Sequence, residues 1–371
     1  MSERMPGVPS LSVGKTVDLL SDLFVGSLRG GMPVKELPSV MLWGPPGVGK
    51  SQAIKQVAER ITRQTGVAAR VTDVRLLLFN PIDLRGIPTA NADKTLAIWL
   101  RPQIFDMDPS PSVLNLLFLD ELSAAPQSVQ AAAYQIALDR TVGEHRLPDN
   151  CIVLAAGNRM SDRSVSNKMP KALANRLCHI EITGNFEGWQ AWAVEKGIHE
   201  KVVGFLSFRQ DALMGFDAAT EDVAFATPRS WEMVSRLLYA AGGDLERAYP
   251  LVAGAVGTGM AVEFRTWCKV FRTLPKIEDI FAGRSPAVPT SPDALYALIA
   301  SMTNYAREHK NDLSAIGNSV RYAALFPTDF SAVLMKNYMA IEPGYRDKLV
   351  RIPEFYRWLS TKGKHLNGSV T

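Results

Sequence analysis

A glycine-rich loop suited to holding phosphate groups follows a short apolar run near the start of the chain. Residues 44–51 read Gly-Pro-Pro-Gly-Val-Gly-Lys-Ser, which has the form G-x-x-x-x-G-K-S. Its glycines let backbone N–H groups turn inward, and the helix expected from Ser51 presents its positive end to an anion. A chance glycine-rich turn would not explain strand, loop, Lys-Ser and helix in this order.

The loop predicts a nucleoside triphosphate site with magnesium. Lys50 is expected to reach the β- and γ-phosphates, and Ser51 to hold Mg²⁺. The nucleotide-binding residues predicted here are Gly44, Pro45, Pro46, Gly47, Val48, Gly49, Lys50, Ser51 and Gln52.

Two adjacent acids end a second apolar run. Residues 114–121 read Leu-Asn-Leu-Leu-Phe-Leu-Asp-Glu, the pattern of a buried parallel strand that carries carboxylates at its C-terminal end. Because the run follows a phosphate loop, Asp120 is expected to bind the Mg²⁺ and join the nucleotide-binding set. Glu121 is expected to orient and polarise the attacking water. In isolation, the same acids could mark an ordinary strand end.

Three further polar residues follow the ends of predicted elements. Asn158 comes after a strand at 151–156, where an amide can sit between the γ-phosphate and the attacking water. Arg176 lies where a helix joins a fifth strand within 169–182, although a lone arginine there is usually a solvated charge or a partner of the helix end. Residues 227–232, Thr-Pro-Arg-Ser-Trp-Glu, are typical of a helix start. That start would direct Arg229 toward the nucleotide if a helical domain closes over it.

Five strands separated by helices are predicted to position these residues. Beyond those above, the pattern predicts a strand at 69–78, whose last residues fit strand or helix equally, and helices at 52–65 and 126–139. Residues 89–100 predict a hairpin with its turn at 91–94, and 140–148 a second, smaller one. The first hairpin is either a surface loop or a projecting element that touches a partner or substrate.

Helical patterns dominate the rest of the chain. A leading helix is predicted at 16–28, and a domain boundary near Gly184, where strand signals stop. The helical segments expected beyond it are 185–196, 252–271, 293–310, 313–325 and 331–339, with a proline-rich linker at 281–291. Basic and aromatic residues alternate at 345–364, which can bind nucleic acid. We favour one amphipathic helix with a solvated basic face.

Size and composition narrow the function classes. A chain of 371 residues predicts two or more domains, and 47% hydrophobic with 21% charged residues fits a globular protein without a bilayer-spanning run. The net charge of +4 permits contact with an acidic surface without requiring nucleic acid. Cys151, Cys178 and Cys268 are scattered, so neither disulfides nor a transition-metal site are expected. The first residues do not resemble a signal sequence, so a cytoplasmic location is expected.

Together the segments GPPGVGKS, LLFLDEL, AAGNR, ALANR and TPRSWE resemble the motifs of AAA+ ATPases. More narrowly, they look like the MoxR branch. The two hairpin insertions are similar to those that mark the clade with inserts in helix 2 and ahead of sensor 1, and the resemblance covers roughly residues 15–275. It implies an α/β P-loop NTPase fold, with a leading segment at 1–37 and a three-layer αβα domain with a five-stranded parallel sheet at 38–183. An all-α lid at 184–280 and a C-terminal helical extension at 281–371 would follow.

The resemblance also implies roles and partners. It assigns Walker A to Lys50 and Ser51, Walker B to Asp120 and Glu121, sensor 1 to Asn158, the arginine finger to Arg176 and sensor 2 to Arg229. ATP and Mg²⁺ are the implied cofactors. The finger acts in trans, with Arg159 and Arg163 as competitors for that role, so a homo-oligomeric ring, expected to be a hexamer, is implied.

A MoxR-type protein is implied to be chaperone-like, remodelling a protein client or helping to insert a metal or cofactor, often with a von Willebrand factor A domain partner. The alternative is a DNA-processing motor, since the same insert-bearing clade includes helicases and restriction subunits. The mild charge and the lack of a recognisable DNA-binding motif disfavour it. A non-hydrolysing scaffold is a third possibility, which the full set of acids and arginines disfavours. The sequence specifies neither the client nor the role of residues 281–371.

Overall fold

The chain folds into two compact units, the first ending at Gly184 and the second beginning at Asn185. The structure, a computed structural model, describes residues 5–162, 169, 171–215 and 222–363. Arg163, one of the competitors for the finger role, lies outside the described residues. The second unit contains both the predicted lid and the predicted C-terminal extension, and the division between those two stays a prediction.

A parallel sheet forms the centre of the first unit. The strands of the described residues are β1 (Ser10–Ser12), β2 (Val40–Trp43), β3 (Ala68–Arg75), β4 (Ile87–Ala90), β5 (Ala97–Leu100), β6 (Val113–Asp120), β7 (Thr141–Val142), β8 (His145–Arg146), β9 (Cys151–Gly157) and β10 (Cys178–Thr183). Six of them form the sheet in the order β1-β10-β2-β9-β6-β3, and all neighbours are parallel. All five predicted strands are present. The sixth, β1, is only three residues long, which is too short for an alternating pattern to predict a strand.

Helices cover both faces of this sheet. Those of the first unit are α1 (Val13–Gly30), α2 (Lys50–Thr65), α3 (Pro81–Arg85), α4 (Gln127–Asp139) and α5 (Lys171–Ala174). Helix α2 buries Ile54, Val57 and Ile61 and lies against β3 and β6, with α1 packed beside it. Helix α4 packs into a different core with Leu117 and Leu119 of β6. Because side chains alternate along a strand, the two cores lie on opposite faces, and the predicted three-layer αβα fold is confirmed.

Both predicted hairpins are present, and they contact each other. The first pairs β4 with β5 and the second pairs β7 with β8. His145 Nε2 lies 2.7 Å from the carbonyl oxygen of Trp99. At the turn of the second hairpin, Gly143 has φ +58°, and a Cβ there would lie 2.5 Å from the carbonyl oxygen of Arg85. The two insertions therefore pack against each other.

The described part of the second unit is helical. Its helices are α6 (Phe186–Lys196), α7 (Glu200–Phe208), α8 (Pro228–Ala240), α9 (Leu245–Val256), α10 (Thr258–Cys268), α11 (Ile277–Phe281), α12 (Pro292–Glu308), α13 (Leu313–Ala323), α14 (Thr328–Met339), α15 (Tyr345–Leu349) and α16 (Pro353–Lys362). Helix α12 packs against α7, which joins the C-terminal helices to those before the linker. No helix of the described residues is long and apolar enough to cross a membrane.

Two predicted helical segments are wrong in extent. The segment at 252–271 is divided at Gly257, whose φ of +89° does not fit an α-helix. The segment at 345–364 is not one amphipathic helix, because Pro353 begins a new helix and disfavours helical backbone at the residue before it. Helix α5, expected ahead of the fifth strand, has only four residues. The strand at 69–78 ends at Arg75, and Leu76–Leu78 form a 3₁₀ turn.

Candidate nucleotide-binding site

The phosphate loop connects the end of β2 to the start of α2. Gly44 passes so close to β10 that a Cβ there would lie 2.7 Å from the carbonyl oxygen of Ile182. Gly49 caps α2 with φ +110°, a conformation that glycine adopts without strain. The unpaired N–H groups of the first helical turn therefore face the loop, as an anion site requires. In the rest of the predicted set, Gly44, Pro45 and Val48 are buried and Pro46, Gly47, Gly49 and Gln52 half-buried.

Lys50 connects this loop to the end of a neighbouring strand. Its side chain is buried, and Nζ donates hydrogen bonds to the carbonyl oxygens of Gly44 at 2.6 Å and Pro45 at 3.1 Å. Nζ also donates to Oδ1 of Asn158 at 2.9 Å. The structure thus brings together two residues that are far apart in the sequence. It does so because β2 and β9 are paired and end at the same sheet edge.

Ser51 and Asp120, both predicted to hold Mg²⁺, meet at the same edge of the sheet. Ser51 Oγ donates to Oδ2 of Asp120 at 2.8 Å, and the N–H of Glu121 donates to the other carboxylate oxygen at 2.9 Å. Glu121 has φ +61°, a left-handed conformation that is uncommon outside glycine and is enriched at functional sites. Its carbonyl oxygen accepts from the N–H groups of Ala124 and Ala125 at 3.0 and 3.1 Å, which holds this turn in place.

Ser123 is a site residue that the sequence did not indicate. Its Oγ accepts from the N–H of Asn158 at 3.0 Å and lies 3.1 Å from the carbonyl oxygen of the same residue. The preceding residue, Gly157, must lack a side chain, because a Cβ would lie 2.6 Å from Ser123 Oγ. The turn that follows Glu121 is therefore hydrogen-bonded, through Ser123, directly to the backbone of Asn158. A serine two residues after an acid carries no motif, so only the strand pairing reveals it.

Asp73 is the second residue without a sequence signal. It lies on β3, two residues before the position that pairs with Asp120, so the two carboxylates share a face of the sheet. Among the described residues, Oδ1 of Asp73 is buried without a hydrogen-bond partner. Burial raises the pKa of this carboxyl, the charge of Asp120 raises it further, and Arg75 and Lys55 oppose both effects.

The oxygen atoms at this edge suit a magnesium ion. The Ser51 hydroxyl and the Asp120 carboxylate lie within hydrogen-bond distance of each other, and Asp73 adds a buried carboxylate oxygen with no partner in the described chain. Mg²⁺ binds oxygen ligands, often one or two carboxylates together with phosphates and waters. The residues therefore fit the ion, with Ser51 and Asp120 as those that would hold it.

Arg159 follows Asn158 and is held by carboxylates of its own chain. It is 3% exposed, and its guanidinium bonds Asp162 through Nη2 at 2.5 Å and Glu181 through Nη1 at 2.7 Å. Burial acts to lower its pKa, but the hydrogen bonds and charges of the two carboxylates outweigh burial and raise it. These contacts disfavour Arg159 as the finger, and the identity of the finger arginine stays a prediction.

The other two arginines lie on surfaces. Arg176 is exposed in the turn between α5 and β10, and it forms no hydrogen bond or ion pair with the described residues. Arg229 is exposed at the second position of α8 in the second unit. That helix begins at Thr227, whose Oγ1 accepts from the N–H of Ser230 at 3.1 Å. The predicted helix start is present, with serine completing the cap.

The sequence of the first unit matches a known family over most of the sheet. Residues 40–182 match the AAA family, described as the ATPases associated with various cellular activities. This region is an AAA ATPase domain. The phosphate loop, Asp120 and Asn158 all lie within it. A search of proteins with curated descriptions finds no match.

Several solved structures resemble the chain weakly. A candidate ATPase from Cytophaga hutchinsonii is 14% identical, with 95% of this chain and 90% of that one covered and a TM-score of 0.31. A RuvB variant from Thermotoga maritima is 16% identical, with 80% and 83% covered and a TM-score of 0.33. A chain of the HORMA:CdnC:Trip13 complex from E. coli MS115-1 is 15% identical, with 70% and 89% covered and a TM-score of 0.36. Identities and TM-scores this low carry no information about function.

Proposed function

We propose that the protein is an ATP-hydrolysing AAA+ motor of the MoxR type, which acts in a homo-oligomeric ring of six subunits on a protein client. The observation that carries the hydrolytic part is the convergence at one sheet edge. Lys50 meets Asn158, and Ser51 meets Asp120 beside Glu121. A phosphate-binding loop alone would be compatible with many nucleotide switches, whereas the added acid and amide supply a means of hydrolysis.

Each of these residues has a role in the proposed reaction. Lys50 and the N–H groups at the start of α2 bind the phosphates, and Ser51 with Asp120 holds Mg²⁺. The bound ion neutralises charge that develops on the phosphate oxygens. Glu121 orients the attacking water and draws its proton. Asn158 is attached to Lys50 on one side and to Ser123 on the other, so its amide is held beside the phosphates and the water.

The surroundings of two arginines support the proposed ring. Arg159 is committed to its carboxylates, whereas Arg176 is exposed on a turn at the surface of the first unit. An arginine supplied by a neighbouring subunit is worth roughly 10³–10⁵ in rate in related phosphoryl-transfer enzymes. A separated subunit should therefore hydrolyse ATP very slowly. Arg229 would act as sensor 2 when α8 moves against the nucleotide.

The first hairpin has an exposed apolar face, which supports the proposal that it holds a protein client. By the register of β4 with β5, Ile87, Ile98 and Leu100 share one face, and these side chains are 61%, 43% and 55% exposed. Exposed apolar faces of this kind commonly mark interaction sites. A von Willebrand factor A domain protein would be a partner in that action.

A phosphate-release assay with Glu121→Gln tests the hydrolytic role. We expect kcat to fall by roughly 10²–10⁴ because the general base is lost, with nucleotide binding retained because Lys50 and Asp120 remain. Glu36→Gln, an exposed acid in the same unit, is the matched control and should keep the wild-type rate. Hydrolysis by Glu121→Gln at the wild-type rate would refute the assignment.

Mixing inactive subunits tests the trans finger. Arg176→Ala subunits keep their own Glu121 but donate no finger, and Glu121→Gln subunits donate a finger but cannot hydrolyse. Mixed rings should therefore recover activity that neither variant has alone. No recovery at any mixing ratio would refute a finger at Arg176.

The client class can be tested with the ATP-bound Glu121→Gln protein. We expect it to retain a protein client, and Ile98→Ser with Leu100→Ser to reduce that retention without changing basal ATPase activity. Stimulation of the ATPase by DNA, with DNA binding that weakens steeply as salt is raised, would instead favour the DNA-processing alternative.

A further inference from the structure

The turn that carries Arg176 is fixed at both ends. Helix α5 ends at Ala174, and β10 begins at Cys178, whose N–H donates to the carbonyl oxygen of Ser39 at 2.9 Å. Between them, Leu177 is 7% exposed and belongs to the core beneath α4. The backbone of the turn is therefore anchored, while the side chain of Arg176 is exposed.

His179 adds a side-chain connection across this turn. Its Nε2 lies 2.7 Å from the carbonyl oxygen of Ala174, and its Nδ1 lies 2.9 Å from Nε1 of Trp43. An indole N–H can only donate, so Nδ1 must accept. The ring proton then sits on Nε2, which donates to Ala174. A single neutral form of the imidazole satisfies both bonds.

The same histidine lies next to the phosphate loop. Trp43 is the last residue of β2 and directly precedes Gly44, and its ring stacks on that of His179 with centroids 6.0 Å apart. In the pairing of β2 with β10, Trp43 lies opposite Glu181, two residues after His179. The phosphate loop and the Arg176 turn of one subunit therefore share an anchor.

We propose that His179 is a positioning residue for Arg176, holding the turn in the orientation that lets the arginine reach the nucleotide of the neighbouring subunit. The inference rests on the proposed function, in which Arg176 acts in trans. The hydrogen bond to Ala174 closes the turn, and Trp43 fixes the imidazole in the form that can donate this bond. A displacement of about 1 Å in a catalytic group can cost on the order of 10²-fold in rate.

The two possible roles of His179 predict that different subunits are impaired when it is changed. If His179 only supports Trp43 and its own phosphate loop, then changing it damages the site of the same subunit. If it positions Arg176, then its own site stays intact and the neighbour's site is impaired. The mixing assay separates these two cases because each subunit type contributes one half of a site.

The test is a phosphate-release assay on mixed rings, with His179→Phe as the central change because phenylalanine keeps the ring and loses both hydrogen bonds. Glu121→Gln subunits should rescue Arg176→Ala subunits, whereas Glu121→Gln/His179→Phe subunits should rescue them about 10- to 100-fold less well. His179→Phe subunits with an intact Glu121 should be rescued by Glu121→Gln. Equal rescue by the two donors, or no rescue of His179→Phe, would overturn the proposal.

Two further variants separate positioning from misfolding. In the Glu121→Gln background, His179→Gln places an amide where Nε2 was and should restore part of the donor activity, because it can still donate to Ala174. His179→Asn reaches only toward Trp43 and should not. Equal donor activity of the Gln and Asn variants, with unchanged melting temperature and ring assembly, would refute the bond to Ala174. Failure of Glu121→Gln itself to rescue Arg176→Ala would refute the trans finger, and the role of His179 with it.

Discussion

Replacing Arg159 with methionine tests whether the buried ion cluster beside Asn158 supports the first unit. Methionine approximates the length of the arginine stem without its charge. The change leaves Asp162 and Glu181 without their cation, and their side chains are only 2% and 0% exposed. Two uncompensated carboxylates in that position cannot be hydrated by water as they are in the unfolded chain.

The expected cost follows from this burial. Removing one partner of a buried ion pair typically costs about 3–5 kcal/mol, because the remaining charge stays buried without compensation. For a domain of this size, each kcal/mol lowers the melting temperature by roughly 2–4 °C. Arg159→Met should therefore melt roughly 6–20 °C lower than the wild type. Replacing Asp162 and Glu181 by apolar residues in the same chain should recover most of that loss, because no buried charge then remains.

Differential scanning calorimetry measures this shift, and Arg209→Met is the matched control. Arg209 also bonds two carboxylates, Asp211 and Glu263, but all three side chains are substantially exposed. Exposed pairs contribute about 0–1 kcal/mol, so the control should melt close to the wild type. If Arg159→Met loses no more than Arg209→Met, the reasoning from burial is refuted.

Three further predictions follow from single contacts. Gly44→Ala should abolish binding of a fluorescent ATP analogue, because its Cβ would lie 2.7 Å from the carbonyl oxygen of Ile182, whereas Gly26→Ala, with open space around it, should bind normally. Ser123→Ala should lower kcat about tenfold with nucleotide affinity unchanged, because Asn158 loses its anchor; an unchanged kcat would contradict this. Burial, with a contribution from Lys201, lowers the pKa of His199 to about 4. Only the unfolded chain then takes up the proton as pH falls from 6.5 toward 4, so urea denaturation should show up to about 3 kcal/mol of lost stability, absent in His199→Asn.

The residues of the phosphate loop and the acid pair could be found from the sequence because each follows a strand of recognisable pattern. Parallel strands place their carboxyl ends at one edge, so the meeting of Lys50 with Asn158 and of Ser51 with Asp120 follows from the pattern and the pairing. Ser123 and Asp73 could not be found this way. Their importance depends on which strand lies beside which, and neither belongs to a motif.

The sequence alone also does not show which of these arginines is buried and which is exposed. Arg159 and Arg176 both follow predicted elements. Arg159 is buried against Asp162 and against Glu181 of β10, whereas Arg176 is exposed. The helix breaks were different, since Gly257 and Pro353 are visible signals. Apolar periodicity continues through both positions and indicates one long helix in each case. The backbone conformations that glycine and proline favour end the helices there.

Strand β10 connects the parts of the candidate site more directly than any motif indicates. His179 bonds Trp43 next to the phosphate loop, Glu181 bonds Arg159 next to Asn158, and the carbonyl oxygen of Ile182 faces Gly44. The turn with Arg176 directly precedes this strand. A shift of β10 would therefore alter the nucleotide site of its own subunit and the orientation of Arg176 together. If Arg176 completes the neighbour's site, such a shift would be felt in two sites of the ring, which offers a physical route for coordinating hydrolysis between adjacent subunits.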